Sequence, residues 1–457
     1  MFWLVEDDTQ LDNFKNFCKG DAFVEIIPYS NIEHPVQNNI CAIYIRPLNS
    51  TKGYIIPISH SETLNIDLNA VKHVLNGIDN MYVRDKKDFL HYLVLPPTMN
   101  KTRPDIWIQI TIPNEFQPAG KYNIGVTAGI EATVCKAEWI QGINRMNETW
   151  VSSKFSKQVF EQAKFNQQNS QTGQNMGTLQ AEKPIKVVFE GAKLDVYKKY
   201  NNGPKFDLKD IKENFCFLFV GHWMQGQHGH DRKNVGVLIK SFCDAFINKK
   251  NPPALILKVS KGTNSYTGRE TIKDQLKNYI KLYPHKNIPS IYILHGDLSD
   301  EEMNTLYNHH KIKAMVSLTK GEGFGRPLLE FSLIGKPILA SGWSGHTDFL
   351  NPNFTKYLPG SLEEVHASAQ NQWLNKEAKW FKVDEGMAKN AYIDAWKNYK
   401  PWKEKAKRQA YYSRTKFSWE KMHDLISSIL DELPEFPQEQ ELKLPKLKLP
   451  KLEKVKK

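Results

Sequence analysis

The segment from Ser317 to Glu330 reads SLTKGEGFGRPLLE and contains the residues of this chain best suited to chemistry. It follows a β-type run, and three glycines, Gly321, Gly323 and Gly325, fall within five positions. Glycine allows backbone amides to approach a ligand closely, and Pro327 suits the first turn of a helix. The pattern therefore predicts a strand, a loop and a helix whose amino end attracts an anion.

Two carboxylates flank this loop, Glu322 within it and Glu330 about one turn into the predicted helix. A carboxylate at that end of a helix can accept paired hydrogen bonds from two neighbouring hydroxyl groups, such as those of a ribose. The glycines alone also fit a second interpretation, a structural strand–turn–helix with two solvated glutamates.

The elements that must position this loop are strands that alternate with amphipathic helices from Phe215 onwards. The predicted strands are NFCFLFVG, ALILKVS, IPSIYILHG, KAMVSL and KPILAS, and the predicted helices are VGVLIKSFCDAFI, RETIKDQLKNYIKLY, EEMNTLYNHH and RPLLEFSLIG. Such alternation predicts a doubly wound parallel sheet. Ligands of these sheets bind beyond the carboxyl ends of the strands.

EGFGRPLLE resembles the E-x7-E signature of the family 4 group of retaining glycosyltransferases, and the resemblance continues to Pro337 and to Gly342–Asp348. It implies the two-lobed glycosyltransferase-B fold, with a donor cleft between two Rossmann-like lobes. It also implies that Glu330 binds the ribose of a nucleotide sugar and that Glu322 contacts the transferred sugar.

The same resemblance gives roles to the loop between the two glutamates. It implies that the backbone of Gly323, Phe324, Gly325 and Arg326 touches the sugar and the diphosphate.

A second segment agrees with this resemblance. Where the family has a strand, a glycine, a basic residue and then a lysine, this chain has Gly221, His222 and Lys233, with Arg232 expected to compensate for the histidine. Lys258 matches a further basic position on the donor side. Positive charge here suits a leaving diphosphate. Taken alone, Lys233 also fits a solvated helix cation.

The amino-terminal half resembles the family in parts. Residues 105–155 resemble its acceptor-lobe edge, residues 185–197 the linker between lobes, and residues 417–422 the closing helix. Glu131 is the candidate for a polar role near the acceptor, a structural hydrogen-bonding role being the alternative.

The predicted fold class is α/β, with two Rossmann-like lobes. The predicted parts are an acceptor-side lobe (1–195, of which 1–95 is β-rich and of uncertain fold), a linker (196–212), a nucleotide-sugar-binding lobe (213–410), a closing helix (411–432) and a basic low-complexity tail (433–457). Residues 10–95 also vaguely resemble the opening of a proofreading exonuclease domain. The strand that should bear its metal ligands reads Val24-Glu25-Ile26, without the Asp-x-Glu pair.

Composition limits the function class. The 457 residues carry a net charge of +12, and residues 442–457 hold seven lysines and one glutamate. Such a tail either solubilises the chain or is attracted to a polyanion or an anionic membrane surface. Five scattered cysteines and the absence of a long apolar run or secretion signal indicate reduced thiols and a cytoplasmic location.

These features predict an enzyme that transfers a sugar from a nucleotide-diphosphate sugar to an acceptor hydroxyl, with retention implied by the resemblance. No Asp-x-Asp triplet occurs, so neither a metal nor a cofactor is expected. The acceptor is a saccharide or a lipid-linked glycan. The alternatives are a hydroxymethylated DNA base of the kind some bacteriophages glycosylate, a nucleic-acid-binding protein with a degenerate nuclease-like front end, or an inactive nucleotide-sugar-binding pseudoenzyme.

Overall fold

The computed structural model forms two units, residues 1–102 and 103–457, which are described separately. In the first unit it describes the backbone of three strands. In the second it describes residues 103–434, apart from 169–174, 201–202, 225, 227–228, 262–264, 373 and 375–376. The boundary after Thr102 falls inside the predicted first lobe, 1–195, and separates the uncertain β-rich part from the rest of it.

The first unit contains a three-stranded antiparallel sheet of β1 (Ala22–Pro28), β2 (Asn39–Pro47) and β3 (Tyr54–Ser59), in that order. These strands coincide with β segments expected from the sequence. Glu25 lies in β1, but its side chain lies outside the described residues, as do any contacts bearing on the exonuclease-like interpretation.

The first lobe of the second unit is a four-stranded parallel sheet with two helices. Its elements are β4 (Ile106–Ile110), β5 (Tyr122–Thr127), α1 (Ala137–Arg145), β6 (Glu148–Val151), α2 (Lys154–Gln162), β7 (Phe165–Gln168), β8 (Asn175–Leu179) and β9 (Ile185–Val187). The parallel sheet has the order β4-β5-β6-β9, while β7 and β8 form a separate antiparallel hairpin. This hairpin lies in a glutamine-rich stretch of the sequence, residues 162–182.

The second lobe is a six-stranded sheet in which every pairing is parallel. Its elements are β10 (Cys216–His222), α3 (Val235–Phe246), β11 (Ala254–Ser260), α4 (Tyr266–Ile280), β12 (Ile291–Leu294), α5 (Asp300–Asn308), β13 (Ile312–Ser317), α6 (Arg326–Ser332), β14 (Ile338–Ser341) and β15 (Lys356–Leu358). The order β12-β11-β10-β13-β14-β15 reverses direction between β10 and β13, and ligands bind at such a switch point. The predicted α/β fold class, with two Rossmann-like lobes, is confirmed.

A two-stranded hairpin follows this sheet, β16 (Gly360–Glu364) with β17 (Lys379–Val383). The sequence did not predict it. Its strands are separated by fourteen residues, and the antiparallel pairing has no short turn signal such as Asn-Gly.

Three helices with two breaks between them follow: α7 (Glu385–Lys397), α8 (Tyr399–Lys416) and α9 (Trp419–Asp431). The second break arises because Ser418 caps α9, its side chain accepting a hydrogen bond from the amide of Lys421. The predicted closing helix, 411–432, thus consists of the end of α8 and all of α9.

Helix α9 returns to the first lobe, where Ile429 packs with Ile124 and Trp150 of its sheet. A backbone bridge between Ala192 and Ser418 lies beside this crossing. None of the helices in the described part of the chain is long and apolar enough to cross a membrane.

Candidate active site

The crevice between β10 and β13 is bordered by the two segments that follow these strands. The first leads from Trp223 to Asn234 and into α3, and the second leads from Leu318 to Gly325 and into α6. Gly325 adopts φ +99° at the cap of α6, with Pro327 in the first turn, a conformation that glycine accepts without strain. The strand, loop and helix expected around the three glycines are therefore present at the carboxyl edge of the sheet.

Two loop glycines serve contact between the lobes. A Cβ atom at Gly323 would lie 2.6 Å from the carbonyl oxygen of Ala128, and one at Gly321 would clash with the carbonyl oxygen of Glu131. Both carbonyls belong to the loop that follows β5 in the first lobe. These glycines thus allow the backbones of the two lobes to meet, a use that the sequence did not reveal.

Glu322 is nearly buried, with its side chain about 9% exposed. Lys233 Nζ donates to Glu322 Oε1 at 2.5 Å, and Arg232 Nη1 lies 3.4 Å from Oε2. Burial alone disfavours the charged carboxylate, but the charges of Lys233 and Arg232 outweigh burial and lower the pKa of Glu322 to about 2. Glu322 is therefore a fixed anion at neutral pH.

Arg232 joins the two lobes. Its Nη1 donates to the carbonyl oxygen of Gly321 at 3.0 Å and lies 3.2 Å from Glu131 Oε1. Its own carbonyl accepts a hydrogen bond from the amide of Lys320 at 2.8 Å. The structure thus brings Glu131 into the site through Arg232, which also contacts Glu322.

Glu330 lies on α6 in a different environment. Tyr307 donates to Glu330 Oε2 at 3.4 Å, and Arg326 Nη2 lies 3.5 Å from Oε1. Burial raises the pKa of Glu330 to about 7, although the charge of Arg326 opposes that rise. Arg326 also lies 3.9 Å from Glu190. At neutral pH Glu330 is thus divided between its protonated and ionised forms.

His222 ends β10, and its Nδ1 lies 2.6 Å from the hydroxyl oxygen of Ser260. Burial lowers the pKa of His222, and the positive charges of Lys233, Arg232 and Lys258 lower it further. The ring is therefore neutral near pH 7, so it does not replace the second cation. Arg232 supplies that charge instead.

The remaining predicted residues take backbone or supporting positions. A Cβ atom at Gly221 would lie 3.7 Å from the side chain of Lys233, and Lys258 Nζ donates to the carbonyl oxygen of Gly296 at 2.6 Å. Phe324 is buried and packs against Phe349. Its side chain belongs to the core, so only its backbone is available to a ligand.

Sequence reasoning missed two residues of the site, Ser344 and His346. Ser344 adopts φ +79°, and its hydroxyl accepts a hydrogen bond from the amide of Glu322 at 2.9 Å. His346 is fully buried with its Nε2 2.6 Å from the carbonyl oxygen of Ser341, which assigns the proton to Nε2. Its Nδ1 has no hydrogen-bond partner among the described residues. The signal was the segment Gly342–Asp348, noted only as a glycine-rich turn.

Lys320 was also missed. Its side chain is 1% exposed, is ion-paired with Glu363 and lies with Nζ 5.4 Å from the ring centre of Trp380. The carbonyl oxygen of Lys320 accepts a hydrogen bond from the amide of Phe381 at 2.9 Å. The hairpin of β16 and β17 therefore supports the loop that carries Glu322.

One family model matches the part of the chain that holds this site. Residues 228–394 match the family model described as "Glycosyl transferases group 1", and this segment holds Arg232, Lys233, Lys258, Glu322 and Glu330. The match covers just over a third of the chain. This segment is similar to group 1 glycosyltransferases, and the predicted enzyme class, a glycosyltransferase, is confirmed.

Three solved structures are similar to this chain at low sequence identity. Sucrose-phosphate synthase from Thermosynechococcus elongatus is 12% identical with a TM-score of 0.49, covering 72% of this chain and 73% of its own. A glycosyltransferase from Rickettsia africae ESF-5 is 15% identical with a TM-score of 0.48, covering 82% and 85%. Anabaena HepE in complex with UDP-glucose is 15% identical with a TM-score of 0.46, covering 68% and 72%. No curated protein matches the chain. Similarity this low identifies neither donor nor acceptor.

Lys233→Met is expected to lower the free energy of unfolding by roughly 3 kcal/mol at pH 7, because the buried Glu322 loses its nearest cation. Adding Glu322→Gln should restore most of this loss, since less buried charge is then left unpaired. Chemical denaturation measures both values. Lys240→Met is the control, because Lys240 pairs with Asp244 at the partly exposed surface and should cost less than about 1 kcal/mol. Equal losses in the single and double variants would contradict the pairing.

Glu330→Gln is expected to stabilise the fold in a pH-dependent way. A carboxyl group whose folded pKa is raised from 4.5 to about 7 contributes stability below pH 4.5 that is lost as the pH rises through 7. The variant should therefore gain up to about 3 kcal/mol at pH 8 and less than about 1 kcal/mol at pH 5. Denaturant midpoints at the two pH values test this, with the exposed Glu364→Gln as the control. A pH-independent gain would show that Glu330 does not titrate as described.

Proposed function

We propose that this glycosyltransferase is a retaining, metal-independent enzyme that transfers a sugar from a nucleotide-diphosphate sugar to a hydroxyl of a saccharide or a lipid-linked glycan. The observation that carries the proposal is the convergence of Arg232 and Lys233 on Glu322 at the switch point of a parallel sheet. Two cations held beside a glycine-rich loop suit a diphosphate whose negative charge grows as its bond to the sugar breaks.

The cations and the loop backbone contact different parts of the donor. We assign the diphosphate to Arg232 and Lys233, with Lys258 on the neighbouring strand as a further positive group. The backbone of Gly323–Arg326 takes the contacts to the sugar and the diphosphate that the family resemblance implies. The neutral His222 contributes a hydrogen-bonding edge without adding charge.

Glu322 orients the sugar and does not act as a base. A carboxylate with a pKa of about 2 is too weak a base to remove a proton from a hydroxyl at neutral pH. The bond from the anomeric carbon to the phosphate oxygen breaks, the acceptor oxygen bonds to the same face of that carbon, and the acceptor proton passes to the departing phosphate. Glu322 accepts hydrogen bonds from hydroxyls of the transferred sugar, and no protein nucleophile is needed.

Glu330 is assigned to the ribose hydroxyls, which its ionised form can accept as a pair. Glu131 is assigned a positioning role on the acceptor side, exerted through its contact with Arg232. Metal independence follows from the same arrangement, because two side-chain cations already offer the charge that a metal would supply to the diphosphate.

The alternative acceptor is a hydroxymethylated DNA base, suggested by the positive net charge and the lysine-rich tail. Residues 435–457 of that tail lie outside the described residues.

Purified protein is expected to release nucleoside diphosphate from a nucleotide sugar in the presence of EDTA, when saccharides or hydroxymethylated DNA are supplied as acceptors. Product chromatography with an anomeric assignment by NMR reads out transfer and retention together. Glu322→Ala should lose transfer by about 100-fold or more, because the sugar is no longer oriented. Turnover abolished by EDTA and restored by Mg²⁺ would overturn metal independence, and donor binding without turnover on any acceptor would favour the pseudoenzyme.

Donor affinity is expected to be about tenfold weaker at pH 6 than at pH 8, because a group with a pKa near 7 must lose its proton to accept the ribose hydroxyls. Calorimetry with an intact nucleotide sugar measures this, since its diphosphate does not titrate in that range. Glu330→Gln should bind the donor weakly at both pH values, with no change of affinity between them. His222→Gln should keep the pH dependence of donor affinity seen in the natural protein, because His222 is already neutral at pH 7. A pH-independent affinity in the natural protein would remove Glu330 from the ribose site.

A further inference from the structure

A cavity of about 450 Å³ lies at the other end of the second-lobe sheet from the glycine-rich loop. Its wall includes Ile312, where β13 begins, and Gly335–Lys336, just before β14. The glycine-rich loop follows the carboxyl end of β13, a strand of six residues. The cavity and the candidate active site are therefore separated by the length of that strand, about 20 Å.

Four lysines converge on this cavity from four segments of the chain: Lys199 after β9, Lys313 in β13, Lys336 before β14 and Lys403 in α8. Within the described residues, none of the four makes an ion pair, and no acidic side chain lines the cavity. Of the other cations in the lining, Lys407 pairs with Glu404 at 2.7 Å. Away from the cavity, described surface lysines commonly pair with carboxylates, as Lys277 does with Asp274 at 2.8 Å. The cavity is thus a concentration of positive charge with no carboxylate in its lining.

Lys336 lies at the buried side of the cluster. Its Nζ donates to the carbonyl oxygens of Tyr307 at 2.6 Å and His309 at 2.9 Å. Burial, together with the charges of Lys313, Lys403 and Lys199, lowers its pKa to about 7. The repulsion among these groups would be relieved by an anion placed between them.

We propose that this cavity binds a small phosphorylated molecule, with its phosphate groups among Lys199, Lys313, Lys336 and Lys403. The remainder of the ligand lies against Tyr411, whose side chain is 73% exposed beside the cavity. Aromatic side chains next to cations suit the rings of a nucleotide or a sugar phosphate.

The shape of the site favours a small ligand over a polymer or a membrane. Cations that converge on one concave point fit a compact polyanion, whereas a nucleic acid strand requires cations spread along a track. A bilayer is flat, and the aliphatic residues of the cavity, Leu333 and Ile334, are buried. This inference does not depend on the proposed sugar transfer, because the two sites share no residue.

The test uses the full chain with inorganic pyrophosphate as the probe, in equilibrium dialysis. The natural protein should bind pyrophosphate at two sites, the cation pair of the active site and this cavity. Lys199→Glu/Lys403→Glu should weaken one of them by about tenfold or more, since two charge-assisted contacts are reversed. Lys397→Glu/Lys400→Glu makes the same change in net charge on α7 and α8 outside the cavity, and it should keep both sites.

Thermal unfolding distinguishes loss of a ligand site from loss of the fold. Without pyrophosphate the Lys199→Glu/Lys403→Glu variant should melt at the same temperature as the natural protein or higher, because repulsion has been removed. Pyrophosphate should raise the melting temperature of the natural protein by more than that of the variant. If the double glutamate variant does not fold, Lys199→Gln/Lys403→Gln is used in its place. It should likewise bind pyrophosphate more weakly and gain less melting temperature from it than the natural protein does.

Three results would overturn the proposal: no pyrophosphate bound by the natural protein, binding undiminished in the Lys199→Glu/Lys403→Glu variant, or an equal loss of binding in the control. A short oligodeoxythymidine that binds the cavity more tightly than pyrophosphate does, and is lost in the same variant, would replace the small ligand with a nucleic acid.

Discussion

A carboxylate buried where two lobes meet is the constraint on which this site depends. Glu322 stays ionised only because Lys233 and Arg232 lie against it, and an unpaired charge at such a position would cost several kcal/mol. The carboxylate follows β13 and the cations precede α3, nearly ninety residues apart in sequence. Adjacent parallel pairing of β10 with β13 brings their carboxyl ends together, so the strand order of the sheet is what makes the ion pair possible.

Two glutamates with seven residues between them acquire opposite properties from their surroundings. Glu322 has two cations, and its pKa falls to about 2, whereas Glu330 has one arginine at 3.5 Å and the hydroxyl of Tyr307, and burial raises its pKa to about 7. The first is fully satisfied without a ligand. The second is buried with little compensation, which destabilises the fold at neutral pH. Hydrogen bonds from a ligand would compensate the buried charge. Glu330 thus has the properties expected of a ligand-binding residue that lowers the stability of the free protein.

The local sequence pattern predicted the strands, the helices and the glycine-rich loop. Contacts between residues far apart in sequence could not be predicted from it. The strands and helices of the second lobe are visible in apolar runs separated by glycine and proline, and the loop from Ser317 to Glu330 carries its own signals. The role of Lys320 is not visible, because its partner Glu363 lies on a hairpin without a short turn. His346 and Ser344 act through contacts with Ser341 and Glu322. Their function follows from tertiary position and not from residue spacing.

If Arg232 binds the diphosphate as proposed, it also couples donor binding to the contact between the lobes. Its Nη1 carries two hydrogens and already faces three acceptors: the carbonyl of Gly321, Glu131 and Glu322. A diphosphate oxygen can bond to this nitrogen only by replacing one of them. Replacing Glu131 breaks a contact between the lobes, and replacing Glu322 frees that carboxylate for the hydroxyls of a sugar. In either case, binding of the diphosphate to Arg232 would change a contact of Glu131 or Glu322, because the same guanidinium nitrogen makes all of these contacts.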